Sequence, residues 1–220
     1  MSLLNKILNK ILDWLFPERC LVCRKGEALI CSSCLRSIPV AERPTEPWIH
    51  PVFDYRNETI KRAVWLFKYK GRRQLAGLVA PLLYELLLEE MADLKAFHNF
   101  ADPVLIPIPM SPKKIRTRGY NQAEILAREL AALGEDLNLE LFSDVLLKIK
   151  ETPSQAKTKN KKERLENLKD SFSIKNPEKI QGRNVILVDD IITTGATLNE
   201  ARKVLKNAGA RKIIAIAAAH

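Results

Sequence analysis

The sequence predicts an α/β fold in which helices flank a parallel sheet, preceded by a small cysteine-rich module. From Asp102 onward, short apolar segments alternate with segments of helical periodicity. Strands that are apolar throughout indicate a parallel sheet covered on both faces. All four cysteines fall between Cys20 and Cys34. We therefore divide the 220 residues into an N-terminal module, residues 1–50, and a main domain, residues 51–220.

The N-terminal residues up to Phe16 predict an amphipathic helix, because their apolar side chains recur at helical spacing. This helix either packs on its own protein or lies on a membrane surface or a partner. Lys6, Lys10 and Asp13 interrupt the apolar run, so we do not expect a secretory signal. Because no run of about 18 apolar residues occurs, we expect no membrane-spanning helix.

The four cysteines predict a structural zinc site. Cys20 and Cys23 form one Cys-x-x-Cys pair, and Cys31 and Cys34 form a second. Each pair brings two thiolates to one ion from a tight turn, and two pairs complete a tetrahedral sulfur shell with no position left for water. Two disulfides are the alternative, which a reducing cytosol disfavours. Because so short a segment buries no core of its own, we expect bound metal to supply its folding energy.

The elements of the main domain follow from prolines, glycines and periodicity. Four prolines between positions 39 and 51 predict an extended connector. Ile60, Val64 and Phe67 lie on one helical stripe, and Gly71 ends that helix. Helices are predicted at 59–69, 74–94, 121–133 and 198–207. Strands are predicted at 52–55, 104–108, 145–149, 172–174, 185–188 and 212–217.

The positive charge is concentrated in three segments. The formal net charge is +10. Residues 61–73, 113–118 and 148–164 together hold 17 basic and two acidic residues, so the remainder of the chain is net negative. Such clusters indicate a polyanionic partner, and solvated surfaces are the alternative.

Residues 185–197 predict a phosphate site between a strand and a helix. Two carboxylates, Asp189 and Asp190, follow the apolar strand, and small or hydroxylated residues come next: Thr193, Thr194, Gly195, Ala196 and Thr197. Residues 197–200 match a capping box, which predicts a helix start at Thr197. Amides at a helix start bind phosphate, and carboxylates accept hydrogen bonds from a sugar diol. The expected ligand is a ribose 5-phosphate group; an ordinary strand–helix turn is the alternative.

The same segment resembles the phosphoribosyl-pyrophosphate (PRPP) motif of type I phosphoribosyltransferases at all thirteen positions. The resemblance implies that Asp189 and Asp190 bind the ribose hydroxyls and that residues 193–197 bind the 5′-phosphate, with Mg²⁺ accompanying PRPP. It also implies a parallel sheet with the site at the carboxyl ends of its strands.

Two further loops are expected to face PRPP. The loop after strand 104–108 supplies cations for pyrophosphate, namely Lys113, Lys114 and Arg118. Asn121 follows and is expected to cap the next helix, with Glu124 completing a capping box. The basic residues between 151 and 170 are expected to form a loop that closes over PRPP and excludes water, a solvated loop being the alternative.

Nearly the whole chain resembles the ComF family, specifically its ComFC-type competence proteins. The resemblance rests on motifs in a fixed order before the PRPP motif: FPERC at 16–20, the doubled Cys-x-x-Cys, KYKG at 68–71, RGYNQ at 118–122, TPSQ at 152–155 and Arg164-x-x-Asn167. It implies a cytoplasmic bacterial protein of natural transformation, peripheral to the inner membrane where it meets the DNA-uptake machinery, with single-stranded DNA as a partner.

Two functions remain open, and a third, a PRPP-sensing regulator, lacks any recognisable helix-turn-helix or other sequence-specific DNA reader. In the first, the protein binds PRPP and handles single-stranded DNA through a basic, aromatic helix end: Lys68, Tyr69, Lys70, Arg72 and Arg73. The alternative interpretation of that helix is that Val64 and Phe67 form the apolar face that packs into the core. In the second, the protein is a phosphoribosyltransferase that acts on an unidentified acceptor.

Overall fold

The computed structural model describes residues 19–26, 28–42, 44, 46–134, 137–151 and 168–220. The strands in these ranges are β1 (Ile49–Phe53), β2 (Val104–Pro107), β3 (Glu140–Leu141), β4 (Leu146–Lys148), β5 (Phe172–Ile174), β6 (Val185–Ile191) and β7 (Ile213–Ala219). The helices are α1 (Ser32–Arg36), α2 (Glu58–Tyr69), α3 (Leu75–His98), α4 (Pro112–Arg118), α5 (Gln122–Leu133) and α6 (Ala196–Asn207). None of the described helices is both long and apolar enough to cross a membrane.

Five parallel strands form the central sheet in the order β1–β7–β6–β2–β3. Alternate residues of each strand face opposite sides. On one side Ile186 and Val188 pack with α2, α3 and α5. On the other side Val185 and Leu187 pack with α6 and with β4 and β5. The predicted parallel sheet covered on both faces is therefore confirmed.

Two of the predicted strands do not belong to this sheet. Strands β4 and β5 pair with each other in an antiparallel ladder, with Leu146 opposite Ile174. The expectation that segments 145–149 and 172–174 join the parallel sheet was wrong. Both strands are three residues long. Leu146 and Phe172, together with Val145 just before β4, are buried in the cluster on the α6 side of the sheet.

Residues of the N-terminal module share the core of the main domain. Leu29, Ile30, Leu35 and Ile38 are buried in the same cluster as α2 and α3. Ile30 and Leu35 border a cavity of about 40 Å³ whose other lining residues come mainly from α2, α3 and β7. The packing of the module therefore bears directly on the position of α2.

The order of strands reverses between β2 and β6. From β2 the chain runs outward to β3, whereas β6 and β7 extend in the opposite direction. Loops that leave neighbouring parallel strands in opposite directions open a crevice at their carboxyl ends, where α/β proteins bind ligands. The segments that follow β2 and β6 carry the predicted PRPP site, so we expect that site to lie in this crevice.

Candidate functional site

The two predicted ribose-binding carboxylates lie on opposite sides of the sheet. Strand β6 continues to Ile191 instead of ending at Val188 as predicted, so Asp189 and Asp190 alternate like any pair of strand residues. Asp190 lies on the face of the sheet that α2 covers, and its Oδ2 is 2.9 Å from the Nζ of Lys68. Asp189 lies on the face of the sheet that α6 covers, and its Oδ1 accepts a hydrogen bond of 2.8 Å from the Asp190 amide.

Lys68 is therefore part of the carboxylate site. Its side chain is 20% exposed, and that of Asp190 is 12% exposed. The sequence indicated Lys68 only as a cation of the basic helix end. Because Lys68 and Asp190 are far apart along the chain, the sequence did not indicate their contact. The contact arises because α2 packs over the carboxyl end of β6.

Burial of Asp189 makes its negative charge unfavourable. Burial and then the neighbouring charge of Asp190 raise the pKa of Asp189 to about 8, although Lys68 opposes the shift. A carboxylate that ionises with difficulty in the ligand-free protein favours partners that donate hydrogen bonds to it or bring a cation. Ribose hydroxyls and Mg²⁺-bound water are partners of this kind.

Asp189→Asn is expected to stabilise the ligand-free protein at pH 8. Because the pKa in the folded state lies above the ordinary value of 3.8, folding takes up a proton and stability falls as the pH rises from about 4 to 8. The amide removes that charge but keeps an oxygen for the Asp190 amide. We expect a gain of about 0.5–2 kcal/mol at pH 8 and little change at pH 4, measured by urea unfolding.

The control for this prediction is Asp144→Asn, because the Asp144 side chain is 54% exposed and pairs with Lys179 at the surface. It should not stabilise the protein at either pH. A gain from Asp189→Asn that is equal at pH 4 and pH 8 would contradict the electrostatic explanation.

The loop after β6 leads directly into helix α6. The helix begins at Ala196 with Gly195 as its N-cap, so the capping box predicted at Thr197 is wrong. Gly195 adopts φ +70°, a left-handed conformation that favours glycine. The buried Oγ1 of Thr194 has no hydrogen-bond partner among the described residues. An unpaired hydroxyl beside the first amides of a helix fits a loop that receives an anion.

Glu46 reaches this loop from the proline-rich connector. Its Oε1 accepts a hydrogen bond of 3.2 Å from the Nδ2 of Asn199 in α6. Its Oε2 lies 3.5 Å from the position that a Cβ on Gly195 would occupy. Nothing in the sequence indicated this contact. The negative charge of Glu46 opposes the entry of a phosphate.

The predicted pyrophosphate loop is largely helical. Residues 112–118 form α4, and Glu151 closes its start by accepting hydrogen bonds from the Ser111 hydroxyl (2.8 Å) and the Lys113 amide (3.4 Å). Asn121 caps α5 as predicted, because its side chain accepts from the Ala123 amide. The second half of that capping box is not seen: Glu124 pairs with Arg128 at 2.6 Å.

Residues of α2 and α4 line a cavity of about 400 Å³. Its lining comprises Lys68, Tyr69, Gly71, Lys113, Lys114, Thr117, Arg118 and Glu151. The volume lies within the range of about 300–1,000 Å³ that is usual for small-molecule sites. Burial, and then the charge of Arg118, lower the pKa of Lys114. The cationic side chains that line this cavity repel one another, so an anionic ligand is favoured there.

Lys148 of β4 is a further cation that sequence reasoning did not single out. Its ammonium lies 5.0 Å from the ring centre of Phe172. Burial, and then the charge of Lys114, lower the pKa of Lys148 to about 8, while Asp189 and Glu151 oppose that shift. Lys148 therefore interacts with charged groups of both sites: with Lys114 and Glu151 of the cavity, and with Asp189 on the α6 side of the sheet.

The predicted DNA-binding helix end divides into a buried and an exposed face. Val64 and Phe67 are buried, which confirms that they belong to the core stripe. Trp65 is 48% exposed and Tyr69 is 58% exposed, and their ring centres are 6.3 Å apart. Three cations stack on aromatic rings here: Lys70 on Trp65, Arg118 on Tyr69 and Arg73 on Tyr120. Arg72, the other predicted member, is half-buried at the start of the turn into α3.

The four cysteine sulfurs form one cluster that fits zinc. All four lie within 4.8 Å of one another, and the sulfurs of Cys23 and Cys31 are 3.8 Å apart. Zn–S bonds of about 2.3 Å in a tetrahedron place the sulfurs about 3.8 Å apart. Although burial opposes it, backbone amides led by that of Cys31 lower the pKa of Cys20 to about 6, which favours a thiolate ligand. The thiols are free, not paired in disulfides.

The fold and these sites define a phosphoribosyltransferase-type domain that carries an N-terminal zinc ribbon. The family profile described as Phosphoribosyl transferase domain matches residues 114–220, and the one described as Double zinc ribbon domain matches residues 11–45. Hypoxanthine phosphoribosyl transferase from Trypanosoma cruzi has 15% sequence identity and a TM-score of 0.38, and the match covers 63% of each chain. Hypoxanthine-guanine phosphoribosyltransferase from Schistosoma mansoni has 16% identity and a TM-score of 0.31, with 64% of this chain and 55% of the other covered. This chain therefore spans less than two thirds of both enzymes.

The more similar proteins are competence and DNA utilization proteins. Competence protein F of Haemophilus influenzae is 30% identical, with 83% of this chain and 75% of that protein covered. Competence protein ComFC of Streptococcus pneumoniae is 31% identical, with 89% and 78% covered. DNA utilization protein YhgH of Escherichia coli O157:H7 is 27% identical, with 84% and 75% covered. The chain belongs to the ComF family of competence proteins.

Proposed function

We propose that this protein binds PRPP at the carboxyl ends of β2 and β6 and holds single-stranded DNA on the adjoining exposed face of α2. The observation that carries the proposal is the contact between Lys68 and Asp190. That ion pair joins the carboxylates of the PRPP motif to the cation-lined cavity and to the aromatic helix. One end of the sheet thus offers groups for a ribose, for phosphates and for bases.

PRPP has three parts, and each part has candidate partners. Asp189 and Asp190 accept hydrogen bonds from the ribose hydroxyls, and residues 193–197 hold the 5′-phosphate at the start of α6. The cavity cations Lys113, Lys114 and Arg118 receive the pyrophosphate group. Mg²⁺, when bound with PRPP, would offset phosphate charge, and the carboxylates would hold its water ligands. Calorimetric titration of the protein with PRPP tests this half of the proposal, and absence of binding would contradict it.

The exposed face of α2 suits single-stranded nucleic acid. Base–aromatic stacking contributes about 1–3 kcal/mol per base, and it needs exposed rings such as those of Trp65 and Tyr69. Lys70 lies over the Trp65 ring and Arg73 lies over the Tyr120 ring, and both supply charge for the phosphate backbone. The names of the relatives support a DNA-related role. The wider role is part of the same proposal: a cytoplasmic protein of DNA uptake that meets the uptake machinery at the membrane surface.

Lys70→Ala combined with Arg73→Ala is expected to weaken DNA binding and flatten its salt dependence. Each phosphate contact contributes about −0.7 to the logarithmic salt slope for a single strand, so the double variant should lose about 1.4 units. Tyr69→Ala should instead lower affinity by about 1–3 kcal/mol with little change in slope. Fluorescence anisotropy of labelled oligodeoxythymidylate at several salt concentrations measures both quantities.

The matched control is Lys203→Ala combined with Arg211→Ala, which removes two positive charges from α6 and the turn after it, away from α2. It should leave the slope within error of the unaltered protein. If wild-type protein does not bind the oligonucleotide even at low salt, the DNA half of the proposal fails.

Phosphoribosyl transfer is the second function that the sequence left open. In that reaction an acceptor nitrogen or oxygen forms a bond to C1 of the ribose, the bond from C1 to pyrophosphate breaks, and the acceptor loses a proton. The cavity of about 400 Å³, which is lined by Lys68, the partner of Asp190, offers room for an acceptor. Incubation with PRPP and candidate acceptors, DNA among them, would show pyrophosphate release if this function is present.

A further inference from the structure

Two of the residues expected to bind DNA, Lys68 and Tyr69, line the same cavity as the residues expected to bind pyrophosphate. Helix α2 supplies Lys68 and Tyr69, and helix α4 supplies Lys113, Lys114 and Arg118. The sequence placed these two groups about 45 residues apart and gave each its own ligand. The structure puts them on facing walls of one space.

Arg118 and Tyr69 are in direct contact. The guanidinium of Arg118 lies 5.0 Å from the centre of the Tyr69 ring, and its Nη2 donates a hydrogen bond of 3.3 Å to the Tyr69 hydroxyl. A guanidinium in this position can serve a phosphate next to a base stacked on Tyr69. The same guanidinium is the group expected to hold pyrophosphate, and its single positive charge would then be offset before a DNA phosphate arrives.

The charge of the cavity suffices for one polyanion. Lys68, Lys113, Lys114 and Arg118 supply four positive charges. Glu151 lines the same space, and Asp190 already pairs with Lys68, so two of the four charges are offset. A pyrophosphate group would neutralise the remainder. A second phosphate group would then enter against repulsion in a partly desolvated space, where such repulsion is strong.

We infer that PRPP and single-stranded DNA exclude each other from the cavity between α2 and α4, so that PRPP regulates DNA binding. This inference rests on the proposed function, because it takes both ligands as given. It adds a reciprocal coupling: each ligand weakens the other by the same factor, as linkage requires.

The test is competition at constant ionic strength. Anisotropy of labelled oligodeoxythymidylate is measured at increasing concentrations of PRPP, with sulfate added to keep the ionic strength equal. We expect the apparent Kd for DNA to rise in proportion to PRPP and to reach a tenfold increase or more. Inorganic pyrophosphate should have the same effect, whereas ribose 5-phosphate should compete weakly because it lacks the group that enters the cavity.

Variants sharpen this test. Lys113→Ala should weaken both ligands, whereas Arg116→Ala, which removes a charge from the same helix outside the cavity lining, should weaken neither. Glu151→Gln keeps an oxygen for Ser111 but removes the opposing charge, so both ligands should bind about two- to fivefold more tightly. If both ligands bind the protein together, each with unchanged affinity, the inference that they exclude each other fails, and the proposed function stands. If either ligand fails to bind the wild-type protein, the proposed function fails, and the shared cavity fails with it.

Discussion

Asp189→Asn combined with Asp190→Asn is expected to reduce the affinity for PRPP by about one to two orders of magnitude above pH 8, where Asp189 is ionised. A hydrogen bond to a charged group contributes about 1.5–3 kcal/mol and one to a neutral group about 0.5–1.5 kcal/mol, so replacing two charged acceptors by neutral ones costs about 2–3 kcal/mol. Each tenfold loss of affinity corresponds to about 1.4 kcal/mol. Calorimetric titration with PRPP in the presence of Mg²⁺ measures the change.

The structure allows this loss to be separated from unfolding. Asparagine keeps an oxygen for the Asp190 amide and for Lys68, and removal of the poorly solvated Asp189 charge is expected to stabilise the fold. Inorganic pyrophosphate should bind the double variant at least as tightly as it binds wild type, because two nearby negative charges are gone. Ribose 5-phosphate should bind more weakly. Unchanged affinity for PRPP would remove Asp189 and Asp190 from the site.

Removal of zinc is expected to have the largest effect on stability. The four sulfurs have the spacing of a tetrahedral zinc shell, and the apparent binding energy of such sites is about 10–16 kcal/mol in zinc-finger peptides. That range matches or exceeds the total stability of a typical domain, about 5–15 kcal/mol. Chelation, or Cys34→Ser, should therefore unfold the module and lower the Tm of the whole protein.

The effect should spread because the module and α2 share a core. Ile30 and Leu35 lie in the same buried cluster as Val64 and Phe67. When the module unfolds, α2 loses packing, and with it the position of Lys68 against Asp190. We expect the metal-free protein to bind PRPP more weakly, although no cysteine is near the PRPP motif in the sequence.

Elemental analysis and thermal unfolding check this second prediction. One zinc per chain should be found, and its release should accompany the fall in Tm. Ser32→Ala, beside Cys31 but not a metal ligand, should retain both zinc and Tm. A chain with no zinc, with intact disulfides by mass, or with an unchanged melting curve after chelation would show that the cysteines do not hold a structural metal.

Features that depend on neighbours along the chain could be predicted from the sequence. The doubled Cys-x-x-Cys brings its thiols together through two tight turns, and the PRPP motif places acids, hydroxyls and a helix start within thirteen residues. The apolar strands β2, β6 and β7 were recognisable because each is buried on both sides. Asn121 was recognisable as a cap because a cap acts on the next two or three residues.

Element ends and strand partners were harder to predict for a physical reason. Whether β6 ends at Val188 or Ile191 depends on whether β7 continues to offer hydrogen bonds beside it, and β7 does so as far as Ala219. The antiparallel partner of β4 is β5, which comes more than twenty residues later in the chain, so the residues of β4 do not by themselves indicate it. The N-terminal helix and most of the predicted closing loop, residues 152–167, lie outside the described residues, so those expectations stand as they were.

The sequence by itself determined the class of fold, the cysteine cluster and the motif that marks the PRPP site, because each is encoded by residues close together in the chain. Only the tertiary structure decided that Lys68 pairs with Asp190, that Glu46 reaches the start of α6, and that α2 and α4 enclose one cavity. These contacts join residues far apart in sequence, and the contact with Lys68 exists because the buried apolar face of α2 holds that helix over the carboxyl end of β6.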